Sequence, residues 1–321
     1  MKYLNLLLVL LFLSSCEAQE TKLLVTQSLI SDWEKYPFYP RLVEDINEKN
    51  IWKSKYKYLD NIEVYSITYM SDGLRVEGLM AKPKEEGNYP CIIYNRGGNR
   101  DFGSLKVAHG AMKLGKIAKE GYVVIASQYR GNAGGQGQEE FGGADVNDVT
   151  ILPEVLKEVE GADTKRIGMY GWSRGGMMTY LALTKTNKIK VAATGGAPTD
   201  LVNRDREGME KVYAELIPGY QDGRDKVLTE RSALFWVDKF PKNVPILLMH
   251  GNADWRVKST QTLQLALEFE KHRIPYRLKI FEGADHGISE FTEEVDQEVI
   301  GWFNRYLKGV SALPDMEFHG R

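Results

Sequence analysis

Six short apolar runs constrain this chain more than any other feature: YPCIIYNR, GYVVIASQY, RIGMYGWS, KVAATGGAP, VPILLMHG and PYRLKIFEG. Each is closed by Gly, Pro, Asn or Asp, and runs of that length without polar alternation read as buried strands. Helical patterns at 104–120, 145–160, 174–186, 258–273 and 290–308 lie between and after them. Strands alternating with helices need crossover connections, which predicts an α/β domain with a mainly parallel central sheet and helices on both faces. Upstream, NIEVYSITYM and LRVEGLMAKP flank Ser71-Asp72-Gly73, a β-hairpin signature. Two stretches break the alternation. Residues 31–60 mix aromatic and charged residues without a period, which predicts short helices at the domain edge. Residues 200–241 are charged and irregular and separate two strands, where a small cap insertion fits. No repeat or Pro-rich linker divides the remainder, so 61–309 reads as one domain, with 310–321 as a tail.

Composition removes several function classes. With 42 Lys+Arg against 44 Asp+Glu, the chain lacks the basic excess of a general nucleic-acid binder. Hydrophobic residues at 43% and charged residues at 27% are ordinary for a globular protein and exclude a disordered or multispan chain. Two cysteines, Cys16 and Cys91, cannot build a disulfide framework or a Cys-based zinc site. At the start, Lys2 precedes an apolar run from Leu4 to Leu13, too short for a permanent span of roughly 20 residues. Ser14-Ser15-Cys16 follows directly, and small residues before a Cys resemble the bacterial lipobox. That resemblance implies a signal peptide at 1–15, lipid on Cys16, a tether and edge segment at 16–60, and a domain facing the periplasm or exterior. Cys91 would then be unpaired and packed as a small apolar residue. An ordinary secretory signal with an incidental Cys is the alternative.

Chemistry enters at Gly171-Trp172-Ser173-Arg174-Gly175-Gly176. The spacing G-x-S-x-G is weak alone, but here a strand pattern runs in and a helix pattern runs out. Such a turn pushes the Ser173 hydroxyl out of the sheet and leaves the Arg174 amide at a helix N-terminus, suited to an oxyanion. A serine hydroxyl needs a base, and the base needs a carboxylate to hold its tautomer. Asp254 follows the strand VPILLMHG, and His286 follows the strand YRLKIFEG. Ligands of open parallel sheets bind at the carboxyl ends of strands, so the three groups can converge on one edge. Their order, Ser…Asp…His, is the α/β-hydrolase order. Of the other histidines, His250 falls at a strand end, His109 and His272 on helical patterns, and His319 in the tail; structural or solvated roles are expected for all four.

At this point the chain resembles the catalytic domain of the prolyl oligopeptidase family of serine peptidases, over roughly residues 60–309. The resemblance rests on SDGLRVEG, YPCIIYNRGGN, QYRGNAGGQGQEEFGGADVNDV, GWSRGG, HGNADWRV and EGADHG. It implies Ser173, Asp254 and His286 as a triad and the Arg174 amide in the oxyanion hole. It also implies that Arg256 binds a substrate backbone carbonyl; the alternative is a buried ion pair shaping the Asp254 loop. Where family peptidases often carry Tyr or His before the paired glycines of the second oxyanion loop, this chain has Arg96, before Gly97 and Gly98. Either the Arg96 charge serves the oxyanion or it folds away and leaves a Gly97 or Gly98 amide to act. About 45 residues separate Cys16 from the hairpin, too few for the family's N-terminal β-propeller, so dipeptidyl specificity does not carry over.

Weaker signals remain. Trp172, Trp255 and Tyr129 neighbour the expected site and either line a substrate pocket or pack the core. Glu139, Glu140, Asp145 and Asp148 form an acidic cluster without histidine, expected as helix N-terminal charge and solvated loop rather than a metal site. No cofactor motif is complete. The reading is a lipid-anchored serine hydrolase acting through an acyl-enzyme on a small-molecule or peptide substrate, most simply small peptide or aminoacyl amide bonds. An esterase on small acyl esters or acylated carbohydrate, and a non-catalytic binding protein on the same scaffold, are the alternatives.

Overall fold

Residue alternation along the central strands divides the core into two layers. Cys91, Ile93, Val123, Ile125 and Met169 point to one face of the sheet, and Ile92, Tyr94, Val124, Ala126 and Tyr170 to the other. A strand apolar on both sides must be covered on both sides. The first face is covered by Val149 and Leu152 and by the helices Arg174–Leu183 and Ser259–His272. The second is covered by the helical stretch 107–118 and the helix Thr292–Phe303. The computed structural model describes residues 22–46, 48–203, 206, 208–309 and 311–320. The apolar run before Cys16, and Cys16 itself, lie outside the described residues. No described helix is long and apolar enough to cross a membrane.

The strands are β1 (Leu24–Leu29), β2 (Val43–Ile46), β3 (Lys49–Trp52), β4 (Ile62–Ser71), β5 (Leu74–Pro83), β6 (Tyr89–Asn95), β7 (Val123–Ser127), β8 (Ala162–Trp172), β9 (Ile189–Gly195), β10 (Ile246–Gly251) and β11 (Tyr276–Phe281). The main sheet runs β1-β4-β5-β7-β6-β8-β9-β10-β11, parallel from β7 to β11 and antiparallel on the β1, β4 and β5 side. This is the expected α/β architecture. The chain moves outward from β6 to β7, then returns to start β8 on the other side of β6. That reversal opens a crevice beyond the carboxyl ends of β6 and β8, the place where doubly wound sheets bind ligands. The predicted hairpin is β4–β5, and its turn residues Asp72 and Gly73 both have positive φ, 49° and 75°. Positive φ at both positions matches the twist of the two strands.

Two expectations differ from the structure. Residues 24–29, read as tether, form the edge strand β1 against β4, and the Leu23 and Leu24 amides donate to the Glu158 carboxylate. The acidic cluster is not solvated loop. Glu139, Asp145 and Asp148 are buried, and Glu140 accepts the Ala144 amide. Each of the three buried carboxylates neutralises an arginine: Arg174 for Glu139 and Asp145, Arg130 for Asp148. Cys91 is free and buried, and burial pushes its thiol up to about 12. That leaves almost no thiolate to react.

Asp148 accepts both the backbone amide and the guanidinium of Arg130, while Arg130 also reaches Asp72 in the hairpin turn. Removing one member of a buried pair strands the other charge in a poor solvent, which costs about 3–5 kcal/mol. Asp148→Ala should therefore lower the denaturation midpoint strongly. Asp32→Ala, which removes the exposed pair with Lys35, should leave it unchanged in the same urea titration.

Candidate active site

The turn after β8 sets the geometry. Ser173 adopts φ 56° and ψ −125°, a strained conformation for a residue with a side chain. Its amide donates to Gly195 O at 2.8 Å, and its carbonyl starts the Arg174–Leu183 helix. Backbone passes so close that a Cβ on Gly175 would lie 1.9 Å from Asn95 O, and one on Gly171 would lie 2.1 Å from Gly175 O. Glycine is required at both positions to bring the ends of β6 and β8 together. Gly97, just beyond β6, is thereby set against Ser173: a Cβ there would stand 3.3 Å from the Ser173 Cβ.

Asp254 follows β10 and is buried. Its Oδ1 accepts the amides of Arg256 at 2.7 Å and Val257 at 3.0 Å, and its Oδ2 accepts His286 Nδ1 at 2.6 Å. Burial alone would raise this carboxyl. Hydrogen bonds from His250, His286 and the Val257 amide outweigh burial and hold it well below the usual carboxylate range. His286 lies in the loop after β11, with its carbonyl accepting Trp172 Nε1 at 2.9 Å. A Cβ on Gly196 would sit 3.2 Å from the imidazole Cε1, so the ring rests on the residue after the one that holds the Ser173 amide. The three predicted residues thus meet at one sheet edge. Among the described residues the Ser173 hydroxyl has no hydrogen-bond partner. Catalytic contacts of this kind often close only when substrate binds.

The remaining predicted residues divide. Arg174 begins its helix, where an amide lacks an intrahelical acceptor, and its side chain is buried between Glu139 and Asp145. The Arg96 guanidinium is not at the oxyanion position. It is 1% exposed and donates to the carbonyls of Gln128, Gly97 and Arg100, so its charge is committed to shaping the loop. Gly98, with φ 72°, offers its carbonyl to Arg174 and lines the pocket beside Ser173. Tyr129 does not line that pocket. It is fully buried, with the guanidinium carbons of Arg96 and Arg174 each 5.0 Å from its ring centre and its hydroxyl on the Arg96 carbonyl. Trp172 and Trp255, the latter 76% exposed, line a separate hollow on the far side of His286. The Arg256 guanidinium makes no ion pair among the described residues. It lies over the rings of Phe102 and Trp255 and faces the Ser173 pocket.

That pocket has a cavity volume of about 50 Å³, and Phe102, Phe141, Met209 and Tyr213 give it an apolar side. Met209 and Tyr213 come from the Met209–Leu216 helix of the 200–241 segment, with Tyr213 edge-on to Phe141 at 5.2 Å. Sequence reasoning did not find these wall residues, because an irregular insertion has no period to reveal its inner face.

His250 has more to do than fill a strand end. Its Nε2 faces two acceptors, Asp254 Oδ2 at 3.1 Å and Val257 O at 2.9 Å, which puts the proton on that nitrogen. Nδ1 is then free to accept the Thr262 hydroxyl at 2.7 Å. The spacing His250-x-x-x-Asp254 across a strand end was the available signal.

A model of the prolyl oligopeptidase family matches residues 112–310. An uncharacterized peptidase of Bacillus subtilis, YtmA, is 32% identical over 200 residues, which are 61% of this chain and 76% of that one. Mouse dipeptidyl peptidase 8 is 27% identical over 243 residues, 70% of this chain and 26% of that one. The solved acylaminoacyl peptidase of Pyrococcus horikoshii superposes with a TM-score of 0.68 at 22% identity, over 84% of this chain and 47% of that one. The chain therefore spans most of the first relative and less than half of the other two.

His250→Leu removes a donor to a charged acceptor, a bond worth about 1.5–3 kcal/mol, so kcat should fall by roughly 10- to 100-fold with KM little changed. His250→Gln, which keeps a donor, should recover part of the loss. With a strained serine turn, a buried Asp254–His286 pair and a family match spanning all three residues, the chain belongs to the prolyl oligopeptidase family and is a serine hydrolase.

Proposed function

We propose that Ser173 is the nucleophile, His286 its base and Asp254 the group that orients the base, in a two-step acyl-enzyme mechanism on small peptide or aminoacyl amide bonds. The observation that carries this reading is the 2.6 Å contact between His286 Nδ1 and a buried, doubly amide-bound Asp254, beside the strained Ser173 turn. With Nδ1 donating to Asp254, Nε2 is the nitrogen left to accept a proton. Ser173 Oγ attacks the scissile carbonyl carbon as His286 takes its proton. The oxyanion that forms meets the amides of Gly97 and Arg174, neither of which has a protein acceptor among the described residues. His286 then returns the proton to the departing amine, and water repeats the sequence to release the acyl group. The apolar side of the pocket, Phe141, Met209 and Tyr213, suits one side chain of the acyl group. Relatives named as dipeptidyl peptidases and acylamino-acid-releasing enzymes support amide chemistry. For the cell, the run Ser14-Ser15-Cys16 supports a lipid anchor on Cys16 and a domain in the bacterial envelope.

Fluorophosphonate should label the wild type on Ser173, and Ser173→Ala should lose the label and on the order of 10⁴-fold or more of kcat. Labelling of another serine with Ser173 unmodified would defeat the assignment. Turnover of acyl esters without any of the matching aminoacyl amides would move the reading to an esterase.

The pH dependence has a definite sign. The imidazole must be neutral to take the serine proton, so kcat/KM should rise as the solution leaves the acid range. Asp254, held low, stays ionised across that range and should add no second limb. Asp254→Asn should lower kcat by about 10³–10⁴, because the imidazole loses its acceptor. For the anchor, Cys16→Ala should move the protein from the membrane to the soluble fraction, and retention in the membrane fraction would remove that part.

A further inference from the structure

Two arginines face the Ser173 pocket without an ion-pair partner among the described residues, with the Asp200 carboxylate in the same lining and the Asp254 charge acting on Arg206 from outside it. Arg206 and Arg256 line the same cavity as the nucleophile. Elsewhere the chain pairs its enclosed arginines: Arg174 with Glu139 and Asp145, Arg130 with Asp148, Arg224 with Glu210. Arg96 and Arg231 are held by backbone carbonyls. Neither the Arg206 nor the Arg256 guanidinium has a carboxylate or carbonyl partner among the described residues. Among the described residues the Arg256 group lies over the ring faces of Phe102 and Trp255. Arg206 is partly buried; burial, and then the like charge of Arg256, weaken its hold on its proton. Of the other charged groups that line the pocket, the Asp200 carboxylate already accepts the amides of Val202 and Asn203, and Lys258 has a partner of its own.

We infer that this pair recognises a carboxylate on the substrate, next to the scissile bond. The inference rests on the hydrolase reading of the same site and names its substrate class. A neutral backbone carbonyl could satisfy one guanidinium, but it would leave two like charges facing each other in a partly enclosed space. A carboxylate offsets both and fits the planar donor fork of arginine. The apolar residues of the same pocket, Phe141, Met209 and Tyr213, would hold the neutral remainder of the substrate. In a peptide the carboxylate comes from an acidic side chain or from the C-terminus, and the chemistry at Arg206 and Arg256 is the same for both.

Two matched substrate pairs separate the sources. Acetyl-Glu and acetyl-Gln aminomethylcoumarin amides share a leaving group and differ by one acyl-side charge. Acetyl-Ala-Ala and its C-terminal amide differ by one charge on the leaving side. The wild type should favour the charged member of one pair by on the order of tenfold or more in kcat/KM, and added salt should narrow the ratio. Arg206→Gln should bring that ratio toward one. If the acyl side carries the preference, Arg206→Glu should turn it toward the acetyl-Lys amide. A wild type that is labelled on Ser173 and cleaves the neutral members, yet shows no charge preference in either pair, overturns the carboxylate inference and leaves the hydrolase reading intact. A preference that survives in both Arg206→Gln and Arg256→Gln also overturns it. Absence of both labelling and turnover removes the two readings together.

Discussion

Much of the site depends on one buried cation. The Arg174 guanidinium, one residue after Ser173, donates to Gly98 O at 3.0 Å, to Glu139 at 2.6 Å and to Asp145 at 2.5 Å. Those partners belong to the oxyanion loop after β6 and the long loop after β7. Asp145 in turn accepts the Glu140 and Gly142 amides, and Glu139 accepts Arg100 N and the Asn132 side chain. Tyr129 and Phe141 lie against the guanidinium at 5.0 and 4.6 Å. Two loops far apart in sequence are thus registered against the strained turn. Burying such a set gains little net stability, since each ion loses its water. Its effect is positional: it fixes where the Gly97 and Arg174 amides stand relative to Ser173.

This explains which parts of the molecule could be read from the chain. The parallel strands were legible because a strand buried on both faces must be continuously apolar, and its ends must carry turn formers. The serine turn was legible because steric crowding permits only glycine at Gly171 and Gly175. Asp254 and His286 were legible because their loops follow strands whose direction was already known. The burial of the acidic cluster is not legible, because residue type reports a charge but not its partner. The partner of Glu139 and Asp145 is the Arg174 side chain, whose place beside the serine turn points first to its amide. For Tyr129 and Arg96 the sequence leaves pocket and framework equally open for a related reason: their neighbours in sequence are at the site, and only the fold turns the side chains into the loop framework. His250 looked like any polar residue closing a strand, and only tertiary geometry brings it onto Asp254.

Chemistry and selectivity are built from different material. Ser173, Asp254 and Gly97 sit just past the ends of the central strands β8, β10 and β6, where packing on both faces leaves little freedom, and His286 sits in the loop after the edge strand β11. Met209, Tyr213 and Arg206 belong to the segment between β9 and β10, which adds no strand to the sheet. Substitutions in that segment can reshape what the pocket accepts without disturbing the strained turn at Ser173. Loops carried on a rigid scaffold serve the same division in many enzymes.

The sealed thiol of Cys91 has a consequence for the life of the folded chain. With its sulfur enclosed in β6 and its ionisation suppressed, the described domain offers no handle for mixed-disulfide formation, and an oxidising medium cannot trap it through this residue. Exposure of that sulfur requires opening the central sheet. Oxidation would therefore act as a one-way gate on unfolded copies, so that in an oxidising compartment the domain's durability is governed by how seldom the sheet opens rather than by the equilibrium between its folded and unfolded forms.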